Sequence, residues 1–445
     1  MKSSGRWVGL WLALTFSAAT AALAQQPSPQ RLTLNDAIRL ALKQNLSVRV
    51  ADAQLEQSQG TTERRRSSLL PHVNGDVLGN RQNIDLAALG ISFPQVPTVV
   101  GPFNHYDLRV SASQSVIDRR AYHNWRATEK QEEAAKLDYQ DARDLVIRQA
   151  AGLYLDGQAS AAEVEVAKSR VVTSETLEKL AHDQHAQGLA TGVDEVRAEV
   201  QLKRDQQTLL VAGNNYQTSL LTLAHFLGLS PGTPLELADN LKFHHLEPAN
   251  PDQSLPTALE ARSDYGALLK QRDSLSEQLK ASRARYLPAL SVNGDYGAIG
   301  RGFGSLAGTG EIQGTLTVTL FDQDRAGEKT ELQGQLKRLD AQIDDLHREI
   351  EQELRKAILD LGSTENQVAV TETAVDLAER ELSLAQDRFR NGVTDNIEVV
   401  TAQASLASAQ DDHIVALAQH ADAVMALVRA LGGTEQTYQT YLGRP

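Results

Sequence analysis

Two copies of one pattern make up this chain of 445 residues, and the duplication limits its possible folds more than any other feature. Four short segments recur in the same order in each half. The recurring pairs are Leu70-Pro71 and Leu287-Pro288, Ile117-Asp118 and Phe321-Asp322, Gly188-Leu189 and Gly392-Val393, and Leu227-Gly228 and Leu431-Gly432. The last three pairs share an offset of 204 residues, whereas solenoid repeats have periods of roughly 20–50 residues. The sequence therefore predicts one duplicated unit of about 200 residues.

Long stretches without proline predict very long helices in both halves. Residues 119–187 contain no Pro, and neither do residues 325–390. At 1.5 Å per residue, each stretch gives a rod roughly 100 Å long. A return helix of about 35–40 residues follows each rod after a glycine-containing turn. A shorter helix precedes each Leu-Pro step, over 34–68 in the first half and 255–286 in the second.

After each Leu-Pro step the spacing of apolar residues changes from a helical period to a period of two. The clearest case alternates Ile312, Leu316 and Val318 with polar residues. This alternation predicts two β-hairpins, over 72–117 and 289–321, whose strands have one apolar and one polar face. Strands of about 9–11 residues cross a bilayer when tilted. A soluble antiparallel sheet with one face on a core is the alternative that the pattern allows.

Four strands per chain leave open edges. An open sheet edge does not persist in lipid, so strands that cross a membrane must be pooled by several copies. Two copies give eight strands and three give twelve. An eight-stranded barrel is filled by its own side chains, whereas a larger one leaves an aqueous lumen. The sequence therefore favours an oligomeric pore, with three copies as one solution.

Composition and motifs exclude several other classes of protein. The net charge of −13 argues against nucleic acid as a partner. The many runs of about 20 apolar residues that a polytopic helical membrane protein needs are missing. We find no catalytic or nucleotide-binding motif, so we predict no enzyme activity and no cofactor. His182 and His185 have Asp183 between them, but a metal site needs further ligands. An exposed helix near the tip is the favoured interpretation of this pair, so we predict no metal site.

The N-terminus predicts export from the cytoplasm. Lys2 and Arg6 precede an uncharged stretch, 7–24, that ends in Ala22-Leu23-Ala24. This pattern is typical of a secretory signal peptide cleaved after Ala24, and an uncleaved anchor helix is the alternative. The predicted organisation is signal peptide 1–24, repeat 1 over 25–228 with a tip near 188–194, connector 229–254, repeat 2 over 255–433 with a tip near 392–398, and tail 434–445.

The ordered segments resemble the TolC-type outer-membrane efflux proteins over nearly the whole chain after the signal peptide. The resemblance rests on the opening at 32–38, the two Leu-Pro strand entries, the two strand exits that end in Asp, and the two glycine turns. It implies an α+β membrane protein in which a homotrimer builds a 12-stranded barrel over a long α-helical coiled-coil barrel in the periplasm. Since the chain has no Cys, it resembles the unlipidated branch of that family.

The same resemblance implies a function and a set of partners. The chain would act as the passive channel of a tripartite efflux or type I secretion system, in contact with outer-membrane lipid. Its substrates would be delivered by an inner-membrane transporter through a periplasmic adaptor protein. The alternative is a soluble periplasmic coiled-coil protein of the adaptor type. An adaptor is expected to have one helical hairpin within a β-rich domain, whereas this chain has two helical hairpins and two strand pairs.

The resemblance also assigns roles at the tips of the helical hairpins. Gly188, Leu189, Gly392 and Val393 match turns that contact the adaptor in this family. An ordinary turn between helices is the alternative interpretation.

Three further positions match the constricted end of the family's tunnel. Glu398 matches an acidic position there, and three copies would form a carboxylate ring that favours cations. Asp194 is its counterpart in repeat 1. Thr401 stands where some relatives have a second acid, which argues against a double ring.

Arginines end the helices that enter the strands. They are Arg64, Arg65, Arg66, Arg283 and Arg285. At these positions they are expected to meet lipid phosphates at the inner rim of the barrel. A favourable interaction with the helix C-terminus is the alternative.

Overall fold

The computed structural model describes residues 30–91, 94, 96–246 and 249–441. The predicted signal peptide, its cleavage site and residues 442–445 of the predicted tail lie outside the described residues. The described helices are α1 (Leu34–Gln44), α2 (Leu46–Ser67), α3 (Arg119–Ala186), α4 (Gly192–Phe226), α5 (Pro251–Ala261), α6 (Ser263–Arg283), α7 (Asp324–Arg390), α8 (Asn396–Leu431) and α9 (Thr434–Tyr441). The described strands are β1 (Gln30–Leu32), β2 (His72–Asp85), β3 (Val99–Ile117), β4 (Leu235–Leu237), β5 (Ala289–Gly300) and β6 (Ala307–Thr317).

Two long rods dominate the structure. α3 has 68 residues and α7 has 67, and neither contains Pro. α3 begins after Asp118, whose carboxylate accepts a hydrogen bond from the Ala121 amide at 2.8 Å. Each rod turns at a glycine into a return helix, α4 with 35 residues and α8 with 36. The two halves therefore repeat the same order of elements.

The helix that enters each hairpin is broken once, which its apolar spacing does not predict. The predicted helix 34–68 is divided at Asn45, which has ψ 137° and donates from its side chain to the Phe226 carbonyl at 3.0 Å. The predicted helix 255–286 is divided at Arg262, which has ψ 113°. The single-helix predictions were wrong because both breaks depend on contacts between distant segments, which a local periodicity does not report.

The four long strands form one antiparallel sheet in the order β2-β3-β5-β6. Each repeat contributes one hairpin, and the hairpins join where β3 pairs with β5. β6 ends at Thr317, before the predicted hairpin end at residue 321. β2 and β6 are the outer strands, so each leaves one edge unpaired within the described part of the chain. The sheet of a single chain is therefore open.

The long helices lie side by side in one layer. Near the sheet the order of neighbours is α2-α3-α6-α7, and towards the tips it is α4-α3-α8-α7. α3 and α7 run through both parts because each is about twice as long as its return helix. In the tip half, α4 and α7 are therefore the outer helices.

The largest apolar core lies where the two halves meet, around α1, the middle of α3 and the ends of α4 and α8. Tyr154 is fully buried there, and its hydroxyl donates to the Leu32 carbonyl at 2.9 Å. β1 and β4 pair in parallel at the side of this core. Among the described helices, α8 alone is long and apolar enough to cross a membrane, but 61% of its most apolar window is buried. Packing inside the protein therefore accounts for its apolar residues.

Candidate functional site

One face of the sheet is aliphatic and exposed. Val77, Leu108 and Ala298 lie opposite one another on neighbouring strands, so their side chains share a face. Val77 and Ile312 on this face are 80% and 86% exposed. No other element in the described part of the chain packs over Val77 or Ile312. A continuous apolar surface of this kind marks contact with lipid or with another protein.

The opposite face of the sheet is charged. Arg109 lies across from Asp76 on β2, and its guanidinium contacts the carboxylates of Asp107 and Asp295. Glu311 lies across from Asp295 on the same face. Strands with an aliphatic face and a charged face are typical of a barrel that has lipid outside and water inside.

A glycine in the left-handed region forms each hairpin tip. Gly188 has φ +74° and Gly392 has φ +68°. In each turn the amide of the next residue, Leu189 or Val393, donates to a carbonyl of the last helical turn, at 2.8 and 2.9 Å. A Cβ on either glycine would meet nothing within 4 Å. The backbone angle, rather than a lack of space, therefore requires glycine at both positions.

The tips present exposed apolar side chains above a packed base. Leu189 is 74% exposed and Val393 is 67% exposed. The base that joins both hairpins consists of Leu177, Ala181, Ala198, Leu382, Ala385, Phe389, Val399 and Ala402. The four residues predicted to contact an adaptor therefore lie in the two tip turns, with Leu189 and Val393 at the surface. Their role in binding an adaptor stays a prediction.

Asp194, which is predicted at the pore constriction, is the third residue of α4 in the structure and completes a capping box with Thr191. Its carboxylate accepts hydrogen bonds from the Thr191 amide at 3.0 Å and the Thr191 hydroxyl at 2.7 Å, which closes a capping box. The side chain is only 9% exposed. Burial raises the pKa of Asp194, but the hydrogen bonds from Thr191 and the charge of Arg197 together hold this pKa below its ordinary value. A carboxylate held in this way contributes little to a ring of accessible charges.

Glu398 and Thr401 lie near the start of α8. The Glu398 carboxylate lies 3.3 Å from the Arg388 guanidinium, and its side chain is 38% exposed. The Thr401 hydroxyl donates to the Ile397 carbonyl at 2.8 Å within the helix. Of the three predicted constriction residues, Glu398 alone therefore has an accessible carboxylate. Its role in a constriction stays a prediction.

A buried group of hydrogen bonds joins the two tips, and we call it the polar tie. The sequence patterns do not predict it. Asn396 is fully buried, its side-chain nitrogen donates to the Asp194 carbonyl at 2.5 Å, and its side-chain oxygen accepts from Arg197 at 2.8 Å. Arg197 and Asn396 are 199 residues apart, and a single sequence gives no signal for such a contact. The spacing of Thr191 and Asp194, in contrast, is that of a capping box and was readable in the sequence. The tie packs the start of α4 against the start of α8.

His182 and His185 share one carboxylate. Their Nδ1 atoms lie 2.7 and 2.5 Å from the two carboxylate oxygens of Glu195. The hydrogen bond to Glu195 raises the pKa of His182. The charged contact therefore stabilises the tip below the ordinary histidine pKa of about 6.5 and is lost as the pH rises through the raised value. Among the described residues, no group of three or more His, Asp or Glu side chains is placed to hold a metal ion.

Comparison with known proteins identifies the family. The chain matches the family described as outer membrane efflux protein over residues 37–229 and 255–433. It is 23% identical over 426 residues to the probable efflux pump outer membrane protein TtgC of Pseudomonas putida. This alignment covers 91% of this chain and 84% of that protein. It is 22% identical to the outer membrane protein OprJ of Pseudomonas aeruginosa, over 89% of this chain and 83% of that protein.

Solved structures show the same fold. The CmeC outer membrane channel of Campylobacter jejuni has a TM-score of 0.78 at 18% identity, over 92% of this chain and 89% of that one. The outer membrane protein VceC of Vibrio cholerae has a TM-score of 0.77 at 19% identity, over 90% of this chain and 96% of that one. These structures confirm the predicted α+β architecture, and the family match spans both repeats. The chain therefore belongs to the outer membrane efflux protein family, as its resemblance to TolC-type proteins predicts.

Proposed function

We propose that this chain forms the outer-membrane duct of a tripartite efflux system as a homotrimer. The open four-stranded sheet, with one exposed aliphatic face and one charged face, carries this proposal. Because unpaired strand edges do not persist in lipid, the free edges of β2 and β6 must pair with other copies. Three copies supply twelve strands, and a barrel of that size keeps an aqueous lumen.

The two faces of the sheet then take different environments. The aliphatic face that includes Val77 and Ile312 contacts the hydrocarbon of the outer membrane, and the charged face around Arg109 lines the water-filled lumen. The helical layers of three copies continue this lumen into the periplasm. The proposal includes removal of residues 1–24 and a mature chain without a lipid anchor. The names of the relatives, which refer to efflux pumps, favour efflux over type I secretion and over a soluble adaptor.

Exposed apolar residues support a helical seam between copies. Those of α7 are Leu359, Val370, Leu377 and Leu384. Those of α4 are Val193, Val196, Val200, Leu210, Val211 and Leu221. The last three residues of the α7 set are seven apart, which is the spacing of a coiled-coil seam. Since α4 and α7 are the outer helices of the tip half, α7 of one copy is placed to pack on α4 of the next.

A cysteine pair tests the trimer and its seam together. Leu384 lies about two turns before the end of α7, and Val200 lies about two turns after the start of α4. These residues are level with each other when measured from the tips. Because the chain has no Cys, the Leu384→Cys/Val200→Cys variant should give covalent dimers and trimers on mild oxidation, which denaturing gels would resolve.

The control pair is Leu384→Cys with Leu221→Cys, which uses the same two helices at levels several turns apart and should stay uncross-linked. Light scattering of the detergent-solubilised protein, corrected for detergent, should give the mass of three chains. A water-soluble monomer would contradict the duct. A trimer that cross-links only through the control pair would contradict the proposed packing of α7 on α4, but it would still support a trimeric pore.

We further propose that the tip turns bind a periplasmic adaptor, which links the duct to an inner-membrane transporter. Leu189 and Val393 are exposed at the ends of the two turns, and the glycines before them fix their direction. Exposed apolar side chains held in a defined place offer a protein partner a surface to bury. Substrates would then pass from the transporter through the duct passively.

Glu398 is the proposed charge at the constriction. Replacing it with Ala should lower the preference of the open channel for cations, because three accessible carboxylates would be lost from the narrow end. Single-channel recording in planar bilayers under a salt gradient measures this preference. Asp412→Ala, which removes another exposed acid of α8, should leave it unchanged. Equal selectivity in wild type and Glu398→Ala would remove Glu398 from the constriction.

A further inference from the structure

We infer that a collar of arginines on repeat 1 binds the phosphate headgroups of anionic phospholipids in the leaflet that faces the helices. The inference rests on the proposed placement of the sheet in the membrane. The collar consists of Arg64, Arg65, Arg66, Arg119 and Arg120. All five side chains are exposed, and none pairs with a carboxylate in the described part of the chain.

The collar lies just beyond the ends of two strands. α2 ends at Ser67, shortly before β2 begins at His72, and α3 begins at Arg119, directly after β3. α2 and α3 pack on each other, and the Thr62 hydroxyl donates to the Thr128 carbonyl at 3.1 Å. The two groups of arginines therefore come from neighbouring helices, near the ends of these helices that meet the sheet.

Exposed aliphatic residues lie next to the collar on the side of the sheet, just before β2 and at the end of β3. Leu70, Val116 and Ile117 are 50%, 54% and 51% exposed. Along the axis from strands to helices, the surface therefore changes from aliphatic to strongly basic within a few residues. This order matches the change from hydrocarbon to phosphate at the surface of a bilayer.

Two aromatic residues give an independent sign of the same interface. Tyr122 is 46% exposed, and its ring centroid lies 5.8 Å from that of Trp125. Trp125 is the only tryptophan after residue 24, and it stands one to two turns from the start of α3. Tyr and Trp concentrate where a membrane meets water. The collar and this aromatic pair therefore mark one level of the molecule.

Helix electrostatics alone does not explain the collar. Arg64, Arg65 and Arg66 lie in the last turn of α2, where cations interact favourably with the helix dipole. Arg119 and Arg120, however, occupy the first turn of α3, which is the positive end of the dipole, and the acid next to them in sequence, the N-cap Asp118, accepts a hydrogen bond from the Ala121 amide. Two cations at that end are unfavourable unless anions balance them, and Asp118 supplies only one negative charge.

Repeat 2 has only part of this patch: Arg283 is exposed, and its contact with lipid phosphates stays a prediction. The positions that correspond to Arg119 and Arg120 hold Gln323 and Asp324. Arg285, which was predicted to meet lipid phosphates, contacts the carboxylates of Asp322, Asp324 and Glu328 instead. These neighbours neutralise the Arg285 charge, so Arg285 is left out of the collar and its contact with lipid stays a prediction. In a trimer the collar would therefore appear three times around the barrel.

Fluorescence of Trp125 supplies the readout. The purified trimer would be reconstituted in phosphatidylcholine bilayers that contain brominated phosphatidylglycerol or brominated phosphatidylcholine at equal mole fraction. Bromine quenches nearby tryptophan, so quenching reports which lipid lies next to the collar. We expect a preference of about fivefold or more for phosphatidylglycerol, the factor expected for one basic residue at an anionic surface. The preference should fall as the salt concentration rises, which tests the collar without any variant.

The Arg119→Gln/Arg120→Gln variant should lose most of this preference, and Arg119→Lys/Arg120→Lys should keep it. Arg204→Gln/Arg338→Gln removes two exposed arginines from the rods and should behave as wild type. Equal quenching by both lipids in wild type, or an unchanged preference in Arg119→Gln/Arg120→Gln, would overturn the inference. Loss of the preference on adding inorganic phosphate at matched ionic strength would show a general anion site and also overturn it. If the protein does not enter bilayers, neither lipid quenches Trp125, and the proposed membrane placement fails together with the collar.

Discussion

Replacing Gly392 with Val is expected to reduce export to background while the amount of trimer stays unchanged. Gly392 has φ +68°, and a β-branched residue in the left-handed region costs roughly 1–2 kcal/mol or more. The turn can escape this cost only by changing its backbone angles, which redirects the exposed Val393 side chain. The packed base beneath the tip stays intact, so the loss falls on the binding geometry rather than on the fold.

Cells that rely on this chain as their only outer-membrane duct, together with its own pump and adaptor, provide the measurement. Dye accumulation and drug susceptibility report export, and a cross-linked gel of the outer membrane reports trimer. Gly392→Asn is the matched control, because Asn tolerates the left-handed region and should retain most of the export. Normal export by Gly392→Val would show that the tip turn is only a connection between helices. A loss of trimer in that variant would assign the effect to folding.

The architecture was predictable from the sequence because it depends on local patterns. The absence of Pro over 119–187 was enough to predict α3, and the period of two around Ile312 was enough to predict the two faces of the sheet. The breaks at Asn45 and Arg262 and the tie between Arg197 and Asn396 were not predictable. Each depends on a partner far along the chain, and local spacing of residue types contains no information on it.

The candidate site divides in the same way. Gly188 and Gly392 were predictable as turn residues, because a positive φ restricts the choice of residue at that position alone. Asp194 was assigned by its correspondence with Glu398, and that correspondence did not preserve the surroundings. Repeat 1 has Thr191 at the N-cap and uses Asp194 to complete a capping box, whereas repeat 2 has Asp395 there, which caps the helix by itself. The acid three residues later is therefore free to approach Arg388 in repeat 2 only.

The largest effect on stability is expected from Asp264→Ala, since Asp264 balances two buried arginines. Arg262 is 3% exposed and Arg429 is 7% exposed. The Asp264 carboxylate lies 2.6 Å from the Arg262 guanidinium and 3.2 Å from that of Arg429. Burial raises the pKa of Asp264, but the hydrogen bonds and charges of these arginines outweigh it and hold this pKa below its ordinary value.

Removal of this carboxylate leaves both guanidiniums short of negative charge in a place where water does not reach them. Breaking a buried ion pair by removing one partner typically costs 3–5 kcal/mol, and we expect the free energy of unfolding to fall by about 3 kcal/mol or more. Glu353 and Asp141 still contact Arg262 and Arg429, each at 2.6 Å. Nη1 of Arg429, however, is already buried without a hydrogen-bond partner in the described part of the chain, so loss of Asp264 would leave Arg429 with a second poorly satisfied group.

Thermal unfolding of the trimer at neutral pH measures this loss, and Asp345→Ala is the control. Asp345 forms an exposed pair with Arg348 at 3.1 Å, and such pairs contribute about 0–1 kcal/mol. Because the pKa of Asp264 is lowered in the folded chain, its contribution is present above the ordinary Asp pKa of about 3.9 and is lost as the pH falls through the lowered value. The difference in stability between wild type and Asp264→Ala should therefore disappear at acidic pH. If Asp264→Ala and Asp345→Ala have the same unfolding temperature at neutral pH, Glu353 and Asp141 are sufficient to balance both arginines.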